Sequence, residues 1–175
     1  MNLIEKDLST KLKNYKEICD FMKKVFPKEE LMPMWLIRIL SYKKNYNFTV
    51  YYDNDLFVGI LFTIEFEDTL FVFYIAVNDK IHSKGYGSEL LKVIFNKYPN
   101  KSITLFIETM DDKTAINYEQ RIKRLKFYEK NGFIHTGLKA GFKTPFVDIL
   151  STDKDYNKLK AKSIMKLIPM KLFSN

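Results

Sequence analysis

Residues 70–77, LFVFYIAV, are apolar at nearly every position, and a strand of that composition needs cover on both faces. That requirement alone asks for a layered fold with this strand near its centre. Two strand-like stretches precede it, NFTVYYDND (47–55) and LFVGILFTIEFED (56–68), rich in β-branched and aromatic residues and divided by Asp and Asn turn signals. The pattern predicts three antiparallel strands in succession, the third of them central.

The rest of the chain supplies the cover. NLIEKDL (2–8) reads as a short strand, and Asn14 with Glu17 three residues later forms a capping-box pattern opening a helix that ends near Pro27. A second helix is expected over LMPMWLIRILSYK (31–43), with Trp35, Ile39 and Tyr42 in the core or in a pocket wall. From Ser88, the spacing of Leu90, Leu91, Ile94, Phe95 and Tyr98 is that of an amphipathic helix closed by Pro99. SITLFIET (102–109) reads as a strand, and a further helix has Asn117 and Gln120 as a cap and Gly132 as its left-handed stop. FIHTGL (133–138) and TPFVDIL (144–150) are two more strands. With no repeat or linker visible, the expectation is one α/β domain over residues 1–175. Its mixed, mostly antiparallel sheet has about seven strands flanked by about four helices. Residues 153–175 are expected to form a basic helical extension packed on the domain, with membrane contact as the alternative.

Composition narrows the class. A chain of 175 residues, 46% apolar, with 15 Phe and 11 Tyr, can build a real core. No apolar run approaches the roughly 20 residues of a membrane-spanning helix, and the N-terminus lacks the apolar centre of a secretory signal, so a cytoplasmic protein is expected. The single Cys19 lies on the apolar face made by Ile18, Met22 and Val25, which suits a structural role; no metal site is expected. A net charge of +8 favours an anionic partner, but the lysines are scattered and no nucleic-acid-binding signature appears, so nucleic acid is not expected.

After the central strand comes HSKGYG (82–87), which holds two of the chain's six glycines, and then a helix. The first amides of a helix lack intrahelical partners, and glycine lets an anion approach the backbone without a Cβ in the way. Gly85 and Gly87 therefore either cradle a phosphate or simply make a tight strand-to-helix turn. The dinucleotide fingerprint fails at Leu90, and the P-loop's G-K-[S/T] is absent.

The loop resembles the acetyl-CoA loop of the GCN5-related N-acetyltransferase (GNAT) superfamily, Q/R-x-x-G-x-G/A, written here His82, Ser83, Lys84, Gly85, Tyr86, Gly87. FVFYIAV resembles that family's central strand, and RLKFYEKNGFIHTG resembles its later helix with a tyrosine and a closing NGF. The resemblance extends from about residue 3 to 150. His82 stands where Gln or Arg is usual, and Arg121 where an Asn is frequent ahead of the tyrosine.

The resemblance implies an enzyme that moves acetyl from acetyl-CoA to a primary amine, with a non-catalytic acyl-CoA-binding module as the alternative. It places the CoA pyrophosphate on the amides of Lys84 to Ser88 and the pantetheine arm along Ile75, Ala76 and Val77, with the Val77 amide polarising the carbonyl. Lys80 and Lys84 are possible sources of added attraction for the phosphates. Tyr128 takes the position of the general acid for the CoA sulfur. Glu108 and Glu65 are alternative bases, directly or through water. Tyr74 is either a pocket residue or core, and His135 is expected to be non-catalytic. Glu65, Glu67, Asp68, Asp111 and Asp112 either line an entrance for a cationic amine or serve as turn residues. The acceptor is a small molecule or a peptide, and an edge strand near the C-terminus could pair two copies.

Overall fold

The computed structural model describes residues 3–28, 30–81, 85–142, 146–168 and 170–174. Along the chain it forms β1 (Leu3–Asp7), α1 (Tyr15–Val25), α2 (Met34–Leu40), β2 (Tyr46–Asp53), β3 (Leu56–Phe66), β4 (Thr69–Val77) and a 3-10 turn at Asp79–Ile81. α3 (Tyr86–Lys97), β5 (Ser102–Glu108), α4 (Tyr118–Lys130), β6 (Ile134–Gly141), β7 (Val147–Ser151), α5 (Lys158–Met165) and β8 (Lys171–Ser174) follow. The strand order is β1-β2-β3-β4-β5-β7-β6-β8.

The expected mixed sheet is present with eight strands. β2 and β3 pair antiparallel, and the two-residue turn at Glu67 and Asp68 can join β3 and β4 only as antiparallel neighbours. β4 and β5 are the parallel pair, in register from Thr69 opposite Ser102 to Val72 opposite Leu105. The eighth strand, β8, was not expected. Its four residues are too few for a periodicity signal, and its pairing with β6 is a tertiary choice.

Contacts divide the chain into two interleaved units, Met1–Ile64 with Phe73–Lys97, and Glu65–Val72 with Tyr98–Asn175. In the first unit, Ile18, Phe21 and Met22 of α1 and Ile37 of α2 pack with Phe48, Val50, Ile60, Phe62 and Tyr74. The Phe62 ring stacks on Tyr74 at 6.0 Å and meets Phe48 at 5.6 Å. In the second unit, Leu138, Ala140, Val147 and Ile149 pack with Tyr156 and Ala161 of the tail. The tail thus contributes a helix, as expected, and also a strand.

Several local expectations need correction. Trp35, Ile39 and Tyr42 are exposed by 61%, 53% and 87%, outside the core. α2 is only seven residues long, and its phase is set by Ile37, which is fully buried and points the 35–39–42 line outward. Val25, at the end of α1, is likewise 40% exposed. Neither expected capping box forms. Asn14 sits at the N-cap of α1 without capping it, its Oδ1 accepting from the Tyr52 hydroxyl at 2.7 Å. Asn117 spends its side chain on Glu108 and Arg121. α3 begins at Tyr86, two residues earlier than the spacing implied, because Gly87 is tolerated in a first turn. Gly132 does take the left-handed conformation, φ +89°. No helix among the described residues is long and apolar enough to cross a membrane.

Candidate active site

The end of β4 is fastened by one buried side chain. Asn78, 4% exposed, donates from Nδ2 to the Phe57 carbonyl at 2.9 Å and accepts the Lys80 amide on Oδ1 at 3.2 Å. Its own amide donates to Val58 O at 2.8 Å, and its carbonyl accepts from Ile81. A strand that would otherwise fray is tied to β3 on one side and turned into the 3-10 segment on the other. Just upstream, Gly59 of β3 lies so close to β4 that a Cβ would stand 2.3 Å from the Ala76 carbonyl oxygen. The backbone at Ile75–Val77 is therefore set by two residues that sequence reasoning missed. Their signals were an isolated glycine inside a strand pattern and an Asn-Asp turn pair at its end.

On the other side of the loop, Gly85 has φ +80°, a conformation that side chains rarely adopt. The first helical hydrogen bond of α3 runs from Glu89 N to Gly85 O. The amides of Tyr86, Gly87 and Ser88 precede that bond, where a helix has no internal acceptor for them. Tyr86 is buried and donates its hydroxyl to Asp53 Oδ2 at 2.8 Å, which pins the start of α3 to the end of β2. His82, Ser83 and Lys84 lie outside the described residues. Lys80 is exposed and 3.7 Å from Glu17 Oε1. Of the strand residues, Ala76 is buried, while Ile75 and Val77 are half-buried.

Tyr128 and the carboxylates belong to the second unit. Tyr128 is buried between Phe127 and Phe133, ring centroids 5.2 and 5.4 Å away, and burial pushes its hydroxyl up to about 12. Glu108 ends β5 in a basic clasp. Its Oε1 accepts from Asn117 Nδ2 at 2.6 Å, its Oε2 from Arg124 Nη1, and Arg121 Nε lies 3.7 Å from Oε1. Arg121 also donates to Asn117 Oδ1 and to the Thr109 carbonyl, each at 2.9 Å, so it fastens the start of α4 to the end of β5. Glu65 pairs instead with Lys101, at 3.6 Å.

The other acidic candidates act as turn and pairing residues. Asp112 accepts from the amide and hydroxyl of Thr114 at 3.1 and 2.7 Å, Asp68 from the Thr69 hydroxyl at 3.2 Å, and Asp111 pairs with Lys139. Tyr74 is core: its hydroxyl donates to Glu30 O at 2.6 Å and accepts from Met32 N at 2.9 Å.

A second network supports the β5 end. Asp148, 1% exposed, accepts from Met110 N at 3.0 Å and Thr109 Oγ1 at 3.3 Å, with His135 Nε2 3.2 Å away. The Gly137 amide donates to His135 Nδ1 at 3.1 Å, so this network assigns the neutral ring's proton to Nε2, facing Asp148. His135 thus bridges Asp148 and the Gly137 amide within the second unit. Among the described residues no group of three or more His, Cys, Asp or Glu side chains is placed to hold a metal ion.

No curated protein matches the chain by sequence. Solved structures match its fold over most of its length. A protein from Bacteroides thetaiotaomicron assigned to the GNAT family superposes with a TM-score of 0.74 at 19% identity, covering 96% of this chain and 99% of that one. A Bacillus subtilis acetyltransferase in complex with CoA gives 0.62 at 15% identity, covering 87% and 97%. Arabidopsis thaliana Naa50 in complex with the bisubstrate analogue CoA-Ac-MVNAL gives 0.60 at 16% identity, covering 87% and 99%. The model of the acetyltransferase (GNAT) domain matches residues 44–135, more than half of the chain. That span runs from β2 through the glycine loop and past Tyr128, and on it rests the assignment: the chain belongs to the GNAT family of acetyltransferases.

Proposed function

We propose that this protein is an acetyl-CoA-dependent N-acetyltransferase, acting as one domain, that moves the acetyl group to a primary amine on a small molecule or peptide by direct attack on the thioester. The observation that carries the reading is left-handed Gly85 opening directly into α3, inside the matched segment. A backbone of this shape fits a pyrophosphate. Gly85 presents no Cβ, three amides precede the first helical bond, and the helix dipole favours negative charge there.

In this reading the amides around Tyr86, Gly87 and Ser88 hold the CoA pyrophosphate, together with His82, Ser83 and Lys84. Ile75, Ala76 and Val77 offer β4 backbone to the pantetheine arm, and Gly59 and Asn78 keep that backbone in place. Acetyl-CoA supplies an activated acyl group. The neutral amine forms a C–N bond to the carbonyl carbon, the C–S bond breaks, the amine loses a proton and the departing sulfur gains one. Tyr128 is the proposed donor to that sulfur. Its raised value keeps the phenol protonated throughout the neutral range. Glu108, or Glu65 through water, is the proposed acceptor of the amine proton, and the clasp of Asn117, Arg121 and Arg124 holds Glu108 in one orientation.

The test is a thermal-unfolding scan followed by circular dichroism, with acetyl-CoA and with adenosine diphosphate as the phosphate control. At about 100 times the dissociation constant, native-state binding adds roughly 2.7 kcal/mol, or about 5 to 10 degrees for a chain of this size. A shift specific to acetyl-CoA, followed by thiol release when amines are added, supports the enzyme. A shift without thiol release from any amine favours the acyl-CoA-binding module. No shift at millimolar ligand removes the loop assignment, and the roles of Tyr128 and Glu108 with it.

A further inference from the structure

α2 is apolar at every position but Arg38, in the run MWLIRIL. A helix of that kind is ordinarily buried on every side, yet only one side of α2 is covered. Ile37 is fully buried while Trp35, Ile39 and, in the turn just beyond, Tyr42 stand 61%, 53% and 87% exposed. Their spacing of four and three residues puts them in one line on a convex ridge. From Leu31 to Tyr46 the sequence holds Arg38, Lys43 and Lys44 and no acidic residue, the nearest described acid along the chain being exposed Glu30; Arg38 hydrogen-bonds Tyr15, and Lys43 and Lys44 are exposed.

Three features select the occupant. The ridge exposes roughly 400 Å² of side chain, taking an aromatic at about 200 Å². That lies in the range of functional patches but is about half of what each partner contributes to a standard protein interface. Its charge is of one sign, so a second copy seated on the same face would bring Lys43 and Lys44 against their own images. And its chemistry, a Trp and a Tyr flanking an aliphatic residue with lysines at the margin, is that of a segment lying in a lipid headgroup layer. We propose that this face of α2 docks reversibly on an anionic lipid bilayer, with Trp35, Ile39 and Tyr42 at headgroup level and the exposed Lys43 and Lys44 against the lipid phosphates.

Trp35 is the only tryptophan in the chain, so its emission reports the ridge alone. Vesicles of equimolar phosphatidylcholine and phosphatidylglycerol should shift that emission to shorter wavelength and shield it from aqueous iodide. Pure phosphatidylcholine should do so far less, and rising salt should reverse the effect. Ile39→Ser with Tyr42→Ser should lower partitioning at least about tenfold while leaving the reporter in place. Lys43→Glu with Lys44→Glu should lower partitioning onto the anionic vesicles alone, also about tenfold or more, with the apolar ridge untouched. Circular dichroism checks that both variants are folded. Emission unchanged by anionic vesicles overturns the proposal. So does shielding of Trp35 on concentrating the protein without lipid, which assigns the ridge to a second copy. Shielding by polyglutamate but not by vesicles overturns it too and assigns the ridge to an acidic polypeptide.

Discussion

At position 59 a single methyl group is too much. The atom it would meet, 2.3 Å away, is the backbone oxygen of Ala76, which no rotamer change can move aside. Gly59→Ala should therefore cost on the order of 1–3 kcal/mol, since β3 and β4 must separate to admit it, and should weaken acetyl-CoA binding through the same displaced backbone. Calorimetry checks the first effect and ligand titration the second; full stability would show that the strands part without strain. Gly85 is constrained differently, by φ +80° and not by crowding, so Gly85→Ala should cost about 1–2 kcal/mol. At Tyr128, replacement by Phe should lower turnover at least about tenfold with CoA affinity nearly unchanged; unaltered turnover would take it out of the acid role. The glycine loop was legible in the sequence because two glycines one residue apart, after an apolar strand, imply special backbone. Gly59 was not, because a lone glycine in a strand signals close approach without naming what approaches.

Asn precedes three helices, and the sequence treats the first two as the better caps. The structure gives the cap to the third. Asn157 accepts from Leu159 N at 2.9 Å and Lys160 N at 3.3 Å, whereas Asn14 and Asn117 are drawn off by Tyr52 and by Glu108 with Arg121. Asn157→Ala should cost about 1 kcal/mol, some 2–4 degrees in Tm, measurable by calorimetry. Local spacing cannot foresee a partner that arrives from another strand. The same holds for Asp148, one residue in the middle of TPFVDIL, which turns out to secure Thr109, Met110 and His135. Burial alone would push its carboxyl up, but the hydrogen bonds from His135 and the Met110 amide bring it below its ordinary 3.8. Its stabilisation is therefore present above that value and lost as pH falls through the lowered one. His135 is raised above 6.5 by its bond to Asp148, against burial, so its contribution is complete below 6.5 and lost as pH rises through the raised value. A pH series of melting temperatures should show a steeper acid limb for the native chain than for Asp148→Asn; equal slopes would remove Asp148 from the acid response.

Across the whole chain, the order of strands and helices could be read almost completely, since apolar strand runs and helical spacing are distinct from one another from residue 46 onward. What could not be read was the closing strand and the depth to which the tail is built in. Ala161 and Ile164 are fully buried, and Tyr156 and Ile168 nearly so. Deleting residues 154–175 should lower the midpoint by more than about 10 degrees, at roughly 1.5–3 kcal/mol for each large apolar side chain uncovered. A small change would make the tail an accessory. How such transitions are followed matters, because the tryptophan at position 35 already stands in water in the native fold. Its emission has little further to travel when the chain unfolds. The optical record of folding belongs instead to the tyrosines at 51, 52, 74, 86, 128 and 156, all buried, and a melt watched only at the tryptophan would trace a nearly flat line through a real transition.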